Sequence, residues 1–230
     1  MNNKFSDFLR KSLAEIIVIF VGISASFWFD EWREGRKDRE MERKILINLK
    51  ENLAQDTLIL TAYVKGGNDF TRSINQLISL KKTKDISDSL NFYIDMAASY
   101  IVFNSNQTVY EEIKQTGHAS LIQDDTLKRA ILGHYTVIVP QSKEWCAADK
   151  SHTESLLIPL MTKYFPIVVD SMNLVSNEKK MAALKNQELS NLLSSSKIYK
   201  KTTLETLDYT NEFAKKLIKR IDKRLQKMSN

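Results

Sequence analysis

Residues 14–32, "AEIIVIFVGISASFWFDEW", are the most apolar stretch of this chain, and a carboxylate, Glu15, stands almost at its start. From Ile16 to Phe29, fourteen residues carry no charge. That length is shared by core helices, the apolar regions of secretion signals and short membrane spans, so the flanks have to decide. Leu13 and Ala14 extend the stretch upstream, and Phe27, Trp28, Phe29 and Trp32 gather at its far end, where amphipathic rings favour a membrane–water interface. Lys11 and Arg33 flank it and can snorkel to headgroups. A basic start (Lys4, Arg10, Lys11) and "SAS" at 24–26 imitate a cleavable signal, but Glu15 interrupts the apolar run and bulky rings follow at once. The expectation is an N-terminal tail over 1–12 and a transmembrane helix over 13–32, with Trp28 and Trp32 as its interface belt.

Glu15 lies one turn from Lys11, a spacing at which the two can pair near the headgroups. It also belongs to a stripe. Glu15, Ile19, Gly22, Ser26 and Phe29 recur at spacings of three and four, which aligns them on one helix face. Gly22 and Ser26 are a small-xxx-small pair that lets two backbones approach. This is the expected face for a homo-oligomer. If several copies assemble, Glu15 can instead form a carboxylate ring that selects cations.

Working outward, only six Gly and three Pro in 230 residues leave few breaks, and no strand alternation or fixed-period repeat stands out; the chain reads as all-α. "DEWREGRKDREMERK" mixes charges at helical spacing as a solvated, coiled-coil-like stalk would, and Met41, Ile45, Leu49, Leu53 and Leu60 add an apolar stripe. The stalk helix is expected over 33–65, ending at "GGND", and an antiparallel helical bundle over 66–228. Within the bundle, the expected helices are a segment from about Ser87 to Phe103, one between Asn106 or Thr108 and the stop at Gly117, and one capped by Asp124 or Asp125 and ending before Pro140. A long helix kinked at Pro159 and ended near Pro166 follows, then a looser stretch at "SMNLVSNEK", and a short and a long helix to the C-terminus.

The net charge of +6 is concentrated. Between Glu212 and Lys227, seven cations (Lys215, Lys216, Lys219, Arg220, Lys223, Arg224, Lys227) face two acids, around an apolar face of Phe213, Leu217, Ile221 and Leu225. Such a helix either lies on anionic lipid or nucleic acid, or is a bundle helix with a solvated outer face.

Catalytic motifs are absent: there is no phosphate-binding glycine loop, HExxH or CxxC. His118, His134 and His152 match no ligand spacing, and the adjacent acids Glu111–Glu112 and Asp124–Asp125 point to different sides of their helices. The lone Cys146 excludes an intramolecular disulfide. The sequence therefore points away from an enzyme, a cofactor and a metal.

Two segments resemble a bacterial family of uncharacterised single-pass membrane proteins, a domain of unknown function. "AEIIVIFVGI" with "FDEWREGRKDREMERKIL" looks like its N-terminal signature, and "TVYEEIKQTGHASLIQDDTLKRAILGHY" is similar to its central Tyr-Glu-Glu helix, Gly stop and next helix. Together they cover roughly a third of the chain. Glu15, Gly22, Trp32, Tyr110, Glu111, Glu112 and Gly117 match; Ala14 replaces a Gly, and Asp30 and Glu31 stand where Asn is usual. The resemblance implies an anchor and a helical domain and supplies no activity.

The functional expectation is a single-pass protein of the cell (inner) membrane whose helical domain acts as an oligomeric interaction, scaffold or sensor module. Its partners would be membrane lipid, further copies of itself and an unidentified protein, with no nucleic acid. The alternative is a homo-oligomeric channel or membrane-perturbing effector lined by Glu15. Three Lys or Arg before the span and six in the fifteen residues after it favour a cytoplasmic domain, whereas a short tail with three positive charges is hard to translocate and long domains cross largely regardless of charge, which leaves the side open.

Overall fold

The computed structural model describes residues 2–80, 89–165 and 176–229, with side chains from 15 to 228 within those ranges. Among the described residues the chain is all-helical, without a strand. Two long helices set the frame: α1 (Asn2–Leu80) and α8 (Gln187–Ser229), ~120 Å and ~65 Å long at 1.5 Å per residue. They run antiparallel, because partners on α8 fall in number as those on α1 rise: Glu42 meets Arg224, Lys50 meets Asp222, and Thr61 meets Asn211.

Three apolar clusters stack along this pair. The lowest joins Leu46, Leu49 and Leu53 to Tyr110, Ile131, Leu217 and Ile221; the middle joins Leu60 to Phe103, Val139 and Leu207; the uppermost joins Ile74 and Leu77 to Leu90, Leu157 and Leu193. The predicted α1 stripe is thus in the core from Ile45 to Leu60, although Met41 is exposed.

Several expected breaks are not breaks. The Gly66–Gly67 pair does not end α1, which continues to Leu80. Gly67 is a crossing point: a Cβ there would lie 2.2 Å from Leu204 Cδ2 and 3.1 Å from Ile101 Cδ1. Residues 42–65 accordingly belong to the bundle rather than to a free stalk. Pro140 does not end a helix, and Pro159, expected to kink one, follows a π-turn. Helices α4 (Asp125–Gly133), α5 (Val139–His152) and α6 (Ile158–Tyr164) are joined by π-turns at His134–Ile138 and Thr153–Leu157. Each π-turn ends two residues before a proline, where wider i to i+5 bonding accommodates a residue with no N–H. The short and the long C-terminal helix are one helix, α8, in which Ser194 and Ser196 return their hydroxyls to carbonyls four residues back.

Other starts and stops follow the sequence. Helix α3 (Thr108–Thr116) ends at Gly117, whose φ of 73° is the left-handed conformation glycine adopts most easily. The Asp124 side chain accepts from the Thr126 and Leu127 N–H groups at the start of α4. Helix α2 (Leu90–Ala97) is shorter than the expected 87–103, its expected start lying outside the described residues. Beyond it Ile101 and Phe103 are buried and Val102 is exposed, the alternation of an extended segment. Asp56 pins that segment by accepting from Ser105 Oγ at 2.5 Å and the Asn106 N–H at 2.9 Å. Helix α7 (Asn177–Ala183) leads into α8, and most of the looser stretch before it lies outside the described residues.

Candidate functional site

Every residue from Glu15 to Lys37 is exposed. Helix α1 therefore leaves the bundle with no partner among the described residues and carries its apolar stretch beyond it. Ile16, Ile17, Val18, Ile19, Phe20, Val21, Ile23, Phe27, Trp28, Phe29 and Trp32 are each more than half exposed. The expected stripe of Glu15, Ile19, Gly22, Ser26 and Phe29 is open along its length; nothing lies within 4 Å of a Cβ at Gly22, and Ser26 Oγ donates to the Gly22 carbonyl at 2.9 Å. The Lys11 side chain expected to pair with Glu15 lies outside the described residues. At the aromatic end Phe29 and Trp32 rings are 5.8 Å apart and Arg36 sits over Trp32 at 5.1 Å.

Among the described residues, no helix is long and apolar enough to cross a membrane. The expected span of 13–32 is helical throughout, but fourteen uncharged residues rise only ~21 Å against a hydrocarbon layer of ~30 Å.

Where α1 enters the bundle, Glu42 is fully buried and holds Arg224 in a two-pronged pair, Nε to Oε1 at 3.0 Å and Nη2 to Oε2 at 2.8 Å. The Gln123 N–H donates to the same carboxylate at 3.2 Å, so α1, α8 and the start of α4 meet at one charge. Arg224's guanidinium pKa is raised further by this bond to Glu42. The apolar face of α8 is consumed by the core, with Leu217 and Ile221 buried. Lys215 pairs with Glu212, whereas Lys216, Lys219, Arg220, Lys223 and Lys227 project into solvent.

A second polar cluster lies deep in the bundle and was not anticipated. Lys200 is 1% exposed; its Nζ donates to the Ser99 carbonyl at 2.6 Å, Asp149 Oδ1 at 3.2 Å and Thr153 Oγ1 at 3.3 Å. Burial pulls the Lys200 pKa down and pushes that of Asp149 up, each opposed by its partner's charge. Beside them His152 Nε2 meets Ser196 Oγ at 3.0 Å and its ring stacks on Tyr199. The available signal was spacing: Leu193, Lys200 and Leu207 are seven apart, which puts the lysine on the buried stripe of α8. This cluster is closed to solvent, and its contacts hold α5 to α8.

The histidines do not converge: His134 packs between Tyr135 and Phe213, and His152 stands on Tyr199. Among the described residues no group of three His, Cys, Asp or Glu could hold a metal. Glu111 pairs with Lys114 and Asp125 with Lys128. Cys146 is buried, and burial pushes its thiol pKa up to about 11.

No family model matches this chain, and no curated protein or solved structure does either.

Proposed function

We propose that this chain is a membrane-anchored helical protein whose bundle serves as an oligomeric interaction or scaffold module. The observation that carries the reading is the set of eleven large apolar side chains exposed on every side of α1 between Ile16 and Trp32. A helix apolar all round is stable only when something apolar surrounds it, and each such side chain gains ~1.5 kcal/mol or more on burial. Leu13 and Ala14 lengthen the stretch to seventeen residues with Glu15 as its only charge, and the Trp28–Trp32 belt and basic flanks fit an interface.

The test is carbonate-resistant flotation of the full chain with lipid vesicles, together with particle mass in detergent for wild type and Gly22→Leu. The reading expects flotation and a smaller particle for the variant. Protein left at the bottom of the gradient overturns the anchor; an unchanged mass removes the Gly22–Ser26 face. Cation flux in liposomes that falls in Glu15→Gln would replace the scaffold by a pore. Because Cys146 is buried, the side of the bundle is better read from Ser151→Cys, an exposed site on α5, in a Cys146→Ala background. A cytoplasmic bundle leaves that thiol unlabelled by an impermeant maleimide in intact spheroplasts.

A further inference from the structure

We propose that the mouth between α1 and the last turns of α8 is a phosphate-ester site, and that it takes the headgroup of an acidic phospholipid; the lipid source rests on the anchoring proposed above. Two adjoining hollows, of about 460 and 240 Å³, share Arg224 and Lys227. Arg39 and Arg43 from α1 line the larger and Arg220 and Lys223 from α8 the smaller. Against these six cations stand three acids, two of them already engaged. Glu42 holds Arg224, and Asp124 caps α4. Glu40 lines the larger hollow as the remaining anion.

Among the described residues, Arg39, Arg43, Arg220, Lys223 and Lys227 make no ion pair. Like charges gathered around a hollow repel one another until an anion enters. Arg224 is the fixed element. Its Nε and Nη2 are committed to Glu42 and Gln123, which leaves Nη1, with no hydrogen bond among the described residues, free to donate. A guanidinium locked from behind presents its remaining N–H groups to a phosphate at little entropic cost.

Position selects the lipid. Arg39 follows Trp32 by seven residues, or ~10 Å along the helix, so with Trp32 at the interface the long Arg and Lys side chains reach headgroup phosphates. Between them lie three cations, Arg33, Arg36 and Lys37, and two acids, Glu34 and Asp38, with Arg33 paired to Asp30, so the segment carries a net positive charge.

The experiment uses the full chain in phosphatidylcholine vesicles with and without phosphatidylglycerol. Carbonate-resistant flotation reads the anchor, and the motionally restricted fraction of trace spin-labelled phosphatidylglycerol against spin-labelled phosphatidylcholine reads headgroup selectivity. Wild type should prefer the glycerol lipid roughly fivefold, the gain expected of about one well-placed cation. The preference should vanish in Arg39→Gln with Lys227→Gln, two exposed sites, and persist in Lys215→Gln with Lys216→Gln on the same helix. Flotation without selectivity, or equal loss in both double variants, overturns the pocket and leaves the anchor standing. No flotation with either vesicle removes the anchor and the lipid source together. Displacement of the labelled lipid by glycerol 3-phosphate at matched ionic strength assigns the site to a soluble phosphate ester and likewise overturns the lipid source.

Discussion

The two π-turns solve one backbone problem in opposite surroundings. At His134–Ile138 two polar side chains are buried among rings: His134 is parallel to Phe213 at 5.9 Å, Tyr135 stacks on Tyr110 at 4.7 Å, and among the described residues neither His134 nitrogen nor the Tyr135 hydroxyl has a hydrogen-bond partner. At the head of Thr153–Leu157, Thr153 is as deeply buried, but it is satisfied together with Asp149 of α5 and Lys200 of α8. The difference lies in what each mutation leaves behind. In the first turn removing a polar group relieves an orphan; in the second it creates one.

The largest effect should come from breaking the second turn. Lys200→Met leaves the Asp149 carboxyl buried without its ion-pair partner, which costs about 3–5 kcal/mol. Adding Asp149→Leu should recover most of that loss, since an apolar pair of similar volume often equals a buried ion pair. Urea midpoints of the wild type and of the single and double variants check this. A single variant within ~1 kcal/mol of wild type would show that the pair does not hold α5 to α8.

The first turn is sharpened by acid. Burial lowers the His134 pKa from 6.5 to about 4. Between those values the unfolded chain takes up a proton that the folded imidazole refuses, so stability falls as the pH is lowered, by about 3 kcal/mol across the window. Asp149, whose carboxyl pKa is raised, titrates with the opposite sign, and the informative quantity is therefore the difference from His134→Phe. That variant should be the more stable of the two at neutral pH, by about 1–3 kcal/mol for the orphan removed, and its advantage should grow toward pH 4. An advantage that stays constant with pH would mean that His134 is protonated in the folded state.

This contrast also shows what the sequence can and cannot carry. Ile45, Leu49, Leu53 and Leu60 announce a buried helix face, and Gly117 and Asp124 announce a stop and a start, because each acts through neighbours within one or two turns. Pro140 and Gly66–Gly67 carry the same local meaning, yet tertiary packing overrules it. Lys200 was hidden for a related reason: a lysine on a buried stripe looks like a break in the pattern until its partner on another helix is seen. At the candidate site, the apolar stretch and the basic helix were legible from composition. The hollow between them was not, because it joins Arg39 and Arg43 to Arg224 across more than 180 residues.

The smallest predicted effect tests the layer between the two turns, where Gly67 meets Leu204 in the cluster that also holds Val139 and Cys146. Alanine favours a helix over glycine by up to ~1 kcal/mol wherever its methyl has room. At Gly66 nothing lies within 4 Å of a Cβ, so Gly66→Ala should raise stability by about that amount. At Gly67 the methyl would meet Leu204 Cδ2 at 2.2 Å and Cγ at 3.3 Å. Leu204 must then rotate within a packed layer, where overpacking costs about 1–3 kcal/mol, so Gly67→Ala should come out destabilised by ~1 kcal/mol after the helix gain. Opposite signs from adjacent residues in thermal or urea unfolding would place the crossing of α1 and α8 at Gly67. A gain at both would mean that Leu204 moves freely and that the middle layer is not tightly packed at Gly67.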